Sequence, residues 1–150
     1  MALKSKKSLC RISGKLLTAI ILVSVIAILL IFDIIRASTF SLKVISVDPE
    51  PVVADGKSSC TLIVELNDAY GNPVEGHNIY AYITEGGGNF TQQRNTTDEN
   101  GQIELSFKPL RATKYSPATD VTVKIYDESN SVFFLIPKTI YYVIKVVDES

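Results

Sequence analysis

Residues Leu16 to Ile35 form an unbroken apolar run, LLTAIILVSVIAILLIFDII, whose sole charge is Asp33. Few folds can accept such a segment. Helical residues rise about 1.5 Å each, so a run of this length reaches about 30 Å, the thickness of a bilayer's hydrocarbon core. A helix that is apolar on every face has no polar side to offer water. The run therefore predicts a membrane-spanning helix presenting Leu16, Ile20, Val23, Ala27, Leu30 and Ile35 to lipid. Lys4, Lys6, Lys7, Arg11 and Lys15 precede it, and basic flanks stay in the cytoplasm. The predicted organisation is a basic cytoplasmic head at 1–15, a signal-anchor helix at 16–36, and one domain outside the cytoplasm at 37–150.

Charge supports the same division. The formal net charge of −1 conceals five basic and no acidic residues in 1–15. After Asp33 the chain carries ten basic and fifteen acidic residues, an excess of five negative charges. An acidic outer domain argues against a nucleic-acid partner, because phosphate contacts need clustered Lys and Arg. The basic head, directly before an apolar span, reads as a topology signal.

The apolar run is longer than the usual h-region of a cleaved signal peptide, about 7–15 residues. The best cleavage point, after Ala37, has Ile35 and Arg36 before it and lacks the small-residue pattern. A retained anchor is the expectation, with Asp33 close enough to the outer end for its carboxylate to reach headgroups. Gly14 before the run also admits a pilin-like helix. A prepilin-type helix would carry glutamate where this chain has Ala19. Cys10 and Cys60 fall on opposite sides of the span and should not pair; Cys60 reads as a small buried hydrophobe.

From Phe40 onward the pattern changes to period two. Strands are predicted at Phe40–Val47, Cys60–Asn67, Asn78–Thr84, near Phe90, and at Gln102–Phe107, Val121–Tyr126, Val132–Ile136 and Thr139–Val147. Turn formers separate them, notably Asp68-Ala69-Tyr70-Gly71-Asn72-Pro73 and Thr97-Asp98-Glu99-Asn100-Gly101. About seven short strands with no helical pattern among them predict an all-β sandwich, because one sheet cannot bury its apolar face alone.

The order of these segments resembles the bacterial Ig-like domain of the invasin/intimin (Big-1) type. Ala54-Asp55-Gly56-Lys57-Ser58 precedes the strand Thr61 to Leu66. Asp68 to Pro73, Val74-Glu75-Gly76, a hydrophobic strand, a Gly-rich loop and Thr97 to Gly101 then follow. The resemblance covers about Val44 to Phe107 and implies an Ig-like sandwich. In these motifs Gly71 and Gly101 supply positive φ, while Asp68, Asn72, Pro73, Asp98 and Asn100 shape the turns. Invasin-type proteins use such domains as stacked spacers or as surface adhesins. This sequence offers one such unit rather than an array and no outer-membrane barrel, which favours partners at the membrane or in the cell wall. The matched pattern is scaffold, so no receptor-binding residue carries over.

Chemistry is sparse. His77 is the sole histidine and reads as a surface residue. One histidine and one outer cysteine fall short of a zinc site, and Gly86-Gly87-Gly88 lacks the lysine of a P-loop. Asp55, Asp68, Asp98, Glu99, Asp127 and Glu128 read as solvated turn residues, with nothing of an EF-hand spacing to support calcium. Asn89-Phe90-Thr91 and Asn95-Thr96-Thr97 fit the glycosylation pattern, which agrees with exposed loops. Tyr80, Tyr82, Tyr141 and Tyr142 could face a sugar, although strand tyrosines commonly pack against cross-strand neighbours. The expectation is therefore a non-enzymatic, cofactor-free, membrane-anchored module with a structural, adhesive or protein-interaction role, touching other envelope or surface proteins. The alternatives are a pilin-like or secretion-apparatus subunit and an accessory domain of a membrane enzyme or transporter.

Overall fold

Alternation of apolar and polar residues from Cys60 to Asn67 produces a strand whose burial alternates residue by residue. That strand is the centre of one sheet in the computed structural model, which describes residues 14–130, 132–133 and 136–149. Lys4, Lys6, Lys7, Cys10 and Arg11 lie outside the described residues; Lys15 stands in the first turn of the helix.

Helix α1 spans Gly14–Ser38 and exposes its apolar side chains on nearly every face. Ser38 and Thr39 close it, their hydroxyls donating to the carbonyls of Ile35 and Arg36. The strands that follow are β1 (Ser41–Asp48), β2 (Val52–Val53), β3 (Cys60–Asn67), β4 (Asn78–Glu85) and β5 (Gly88–Phe90). After them come β6 (Arg94–Thr96), β7 (Gln102–Pro109), β8 (Val121–Asp127), β9 (Thr139–Ile144) and β10 (Val146–Val147).

Two four-stranded sheets, ordered β1-β3-β7-β5 and β6-β4-β8-β9, face each other. Their inner faces meet in one core. Leu62, Val64 and Leu66 come from β3, Leu105 and Phe107 from β7, Ile79 from β4, Val123 and Ile125 from β8, and Ile144 from β9. Burial of an aliphatic side chain is worth about 1.5–3 kcal/mol, so this interdigitated layer holds the sheets together. Cys60 joins the core as a free thiol, and its burial pushes its pKa up to about 11.

Four details depart from the sequence expectation. Arg94–Thr96, where no strand is predicted, forms β6 and pairs antiparallel with β4. Val52–Val53, flanked by turn residues, forms β2 and pairs in parallel with β10. The predicted strand Thr139–Val147 is broken at Lys145, whose ammonium meets Asp120 at 2.6 Å while its carbonyl accepts the Val52 N–H. The chain thereby leaves β9's sheet and turns to β2. The predicted strand Val132–Ile136 is absent among the described residues: Val132 and Phe133 form a bend, because their amide groups are engaged by Asp33 of α1. Residues 131, 134 and 135 lie outside the described set.

Candidate functional site

Antiparallel pairing brings several segments to one end of the sandwich. Ser41 of β1 faces Asn67 of β3, Glu65 of β3 faces Gln102 of β7, and Ile79 of β4 faces Asp127 of β8. The end next to α1 therefore gathers the 68–77 loop, the 97–101 turn and the chain after β8. The two glycine turns are laced together there. Leu66 donates to the Gly101 carbonyl at 2.8 Å, Val74 to Leu66 at 3.0 Å, and Gly76 to Thr97 at 2.9 Å. Asp68 accepts the N–H groups of Tyr70 and Asn72, and Asp98 those of Asn100 and Gln102. Hydrogen bonds from Asn72 hold the Asp68 carboxyl below the usual range, and the bond from Gln102 does the same for Asp98. These carboxylates are occupied by their own turns.

His77 and Asp127 differ from the sequence expectation. Instead of a surface histidine and a solvated turn carboxylate, they form a hydrogen-bonded pair, Nδ1 to Oδ2 at 2.8 Å, with Asp127 fully buried. Asp127 is the last residue of β8, and pairing with Ile79 draws it inward. Its other oxygen accepts the Ser129 N–H at 2.9 Å, and the Ser129 hydroxyl in turn receives the Asn78 N–H at 2.8 Å. The Phe40 ring lies 5.3 Å from the His77 ring, so the exit from α1 rests on this pair. A buried carboxylate with hydrogen-bond donors around it is a stable arrangement, and its geometry organises a strand end.

Asp33 departs further. It does not reach toward headgroups; it is fully buried, accepting the N–H of Val132 at 3.2 Å and of Phe133 at 2.9 Å. This contact joins positions about a hundred residues apart, and no periodicity could have shown it. Ala37, one turn on, is the other buried residue of α1.

The outer face of β6-β4-β8-β9 carries aromatic side chains. Tyr80 and Tyr126 are cross-strand partners with rings 5.4 Å apart, and Tyr82 lies within 6.2 Å of Tyr126. Lys124 stands 5.5 Å from the centre of the Tyr82 ring, and its hydrogen bond with Tyr82 raises its pKa above the ordinary value. Tyr141 is exposed on the same face. Tyr142 points the other way, packing on the core and donating to Glu50 at 3.2 Å, which removes it from any sugar-facing set. Tyr126 replaces it, a position that alternation from Val121 marks as outward. Among the described residues no group of three or more His, Cys, Asp or Glu could hold a metal ion.

A family model, the bacterial Ig-like domain (group 1), matches residues 43–133. The chain belongs to this family. The group 1 domain here spans β1 through β8, and its match ends at the loop that meets Asp33. No curated protein matches the chain. Among solved structures, the C-terminal 282-residue fragment of intimin, in complex with the intimin-binding domain of the translocated intimin receptor, superposes with a TM-score of 0.53 at 18% identity. That match covers 71% of this chain and 33% of the fragment. The D00-D0 domain of intimin gives 0.48 at 13% identity, over 67% and 46%. A conjugative transposon lipoprotein from Bacteroides eggerthii gives 0.46 at 14% identity, over 71% and 96%. This group 1 domain thus shares the Ig-like fold of intimin and spans about a third of the length of the intimin fragment.

Proposed function

We propose that this protein is a single-span membrane protein, with 1–15 in the cytoplasm, 16–36 in the bilayer and 37–150 as an Ig-like module outside, where it makes structural or adhesive contacts with envelope or surface proteins. The observation that carries the reading is α1. Twenty-five residues of helix expose apolar side chains on nearly every face and then lead directly into a folded domain. Such a surface is stable when lipid covers it. The intimin fragment was solved bound to a receptor domain, which supports a protein-contact role for the fold. In this chain the end away from α1, where Leu110 and Tyr115 are exposed, and the tyrosine face around Tyr141 are open to partners.

Protease added to intact spheroplasts should digest the domain after Arg36 and spare the basic head. Protection of the domain would overturn the orientation. Sequencing the mature N-terminus separates the anchor from the pilin-like alternative, since a start at Lys15 would indicate prepilin-type processing. A photocrosslinker at Tyr141, used in cells, should capture an envelope protein.

A further inference from the structure

Between β8 and β9 the sequence reads Val132-Phe133-Phe134-Leu135-Ile136. Loops between strands of a water-facing domain normally carry polar turn residues. Here the described part of the loop turns away from the sandwich core and lies against α1. Val132 and Phe133 are about half exposed, at 52% and 51%. The Phe133 ring meets the Phe32 ring edge-on at 6.1 Å, and the two loop residues line an apolar groove with Ile28, Leu29, Phe32 and Arg36. Ile28 lies two turns below Ile35, about 10 Å along the helix axis. The groove therefore begins well inside the apolar run.

The backbone chemistry suits the same placement. In hydrocarbon an unpaired N–H is costly, and so is a lone carboxylate. The Asp33 carboxylate accepts the N–H groups of both Val132 and Phe133 and is itself fully buried. Each group removes the other's liability. Charged residues within membrane helices turn toward protein or water for this reason, and here the protein is the loop.

We propose that Val132 and Phe133, between β8 and β9, enter the outer leaflet beside α1 and contact lipid acyl chains while Asp33 holds their backbone. This inference rests on the membrane-spanning reading of α1. Lipid is the occupant because the groove is continuous with the helix surface that lipid already covers. Arg36 stands at its outer end, where a lipid phosphate would lie. The Ig-like domain is then seated on the bilayer by two contacts instead of hanging from one tether.

The chain contains no tryptophan, so a single introduced one reports cleanly. Full-length Phe133→Trp, Leu22→Trp and Tyr115→Trp proteins are reconstituted in phosphatidylethanolamine/phosphatidylglycerol vesicles, with and without acyl-chain bromination. The Phe133→Trp reporter should emit at shorter wavelength than Tyr115→Trp, be quenched by brominated lipid, and show several-fold weaker quenching by iodide. Adding Asp33→Leu should raise its iodide quenching toward the Tyr115→Trp value without altering Leu22→Trp. Iodide access at position 133 equal to that at 115, with Leu22→Trp still quenched by bromine, would overturn the loop insertion and leave the span standing. Loss of bromine quenching in Leu22→Trp would overturn both. Shielding of position 133 from iodide and bromine alike would show a protein occupant, a second copy or a partner, and would also overturn the proposal. An unchanged Phe133→Trp signal in Asp33→Leu would remove Asp33 from its holding role.

Discussion

The carboxylate of Asp33 accepts the backbone N–H of Phe133 at 2.9 Å, joining the apolar helix α1 to a residue one hundred positions away. Through this bond, and the parallel one from Val132, α1 acts as part of the domain's structure. Removing a buried acceptor exposes the full cost of its orphaned donors, about 1–3 kcal/mol. Asp33→Leu should therefore speed hydrogen exchange at Val132 and Phe133 about tenfold or more. Exchange at Leu62 and Leu105 in the core should stay unchanged. Equal acceleration across the sandwich would mean that Asp33 stabilises the whole fold.

The His77–Asp127 pair is the second place where tertiary structure fixes a polar group. Asp127→Ala leaves the His77 ring, the Ser129 N–H and the strand end without their acceptor, and should cost about 1–3 kcal/mol. Asp127→Asn should cost less, because the amide oxygen still accepts. A double-mutant cycle with His77→Ala, read by urea unfolding in detergent, should return a coupling of about 0.5–3 kcal/mol. Additive effects would show that the two side chains do not cooperate.

Gly101 adopts φ 69°, and a Cβ there would lie 2.5 Å from the Leu66 carbonyl oxygen and 2.9 Å from the Val74 nitrogen. Both atoms are backbone in the lacing between the two turns, so neither can yield cheaply. Gly101→Ala should cost about 2 kcal/mol or more. Gly71 has φ 85° but open space around its Cβ position. Gly71→Ala should carry only the backbone term, about 1 kcal/mol. Equal unfolding midpoints for the two variants would contradict the packing argument.

Acid should weaken the domain in a defined window. The N–H groups of Ser58 and Lys57 donate to Asp55 and hold its pKa at about 2, below the ordinary 3.8. Asp68, Asp98 and Asp120 are lowered in the same direction. A carboxyl that is more acidic when folded contributes stability above its unfolded pKa and loses it as pH falls through the folded one. Urea midpoints should therefore hold down to pH about 4 and fall toward pH about 2. The drop should shrink in Asp55→Asn, whose amide does not titrate, and an undiminished drop would exclude Asp55 as a contributor.

Cys60 offers a reporter of opening. With its thiol buried in the core and its pKa pushed up to about 11, it should resist thiol reagents at neutral pH in a Cys10→Ser background. Addition of urea should then release reactivity together with the unfolding transition. Rapid labelling of the folded protein would contradict the burial.

Strand β3 was legible in full from Cys60 to Asn67, because side-chain alternation is a local property of the sequence. Most of β4, β7 and β8 was legible for the same reason. The conformation of Val132 and Phe133 was not, since a short apolar stretch does not fix its own secondary structure until its neighbour is known. The tyrosine face was half legible: alternation placed Tyr80 and Tyr82 outward, but the pairing of β4 with β8 brought in Tyr126.

The sequence alone determined that a long apolar helix would precede a β-sandwich, because hydropathy and alternation act over neighbouring residues. The sandwich's Ig-like character came from the resemblance of its ordered turn motifs. Only the tertiary structure decided what the isolated polar groups do. Asp33 reads in sequence as a charge near the end of the apolar run, and Asp127 as a turn residue. Folding brings one beside Phe133 and the other beside His77. A buried carboxylate must find donors wherever the fold supplies them, and that supply is set by contacts between residues far apart in the chain.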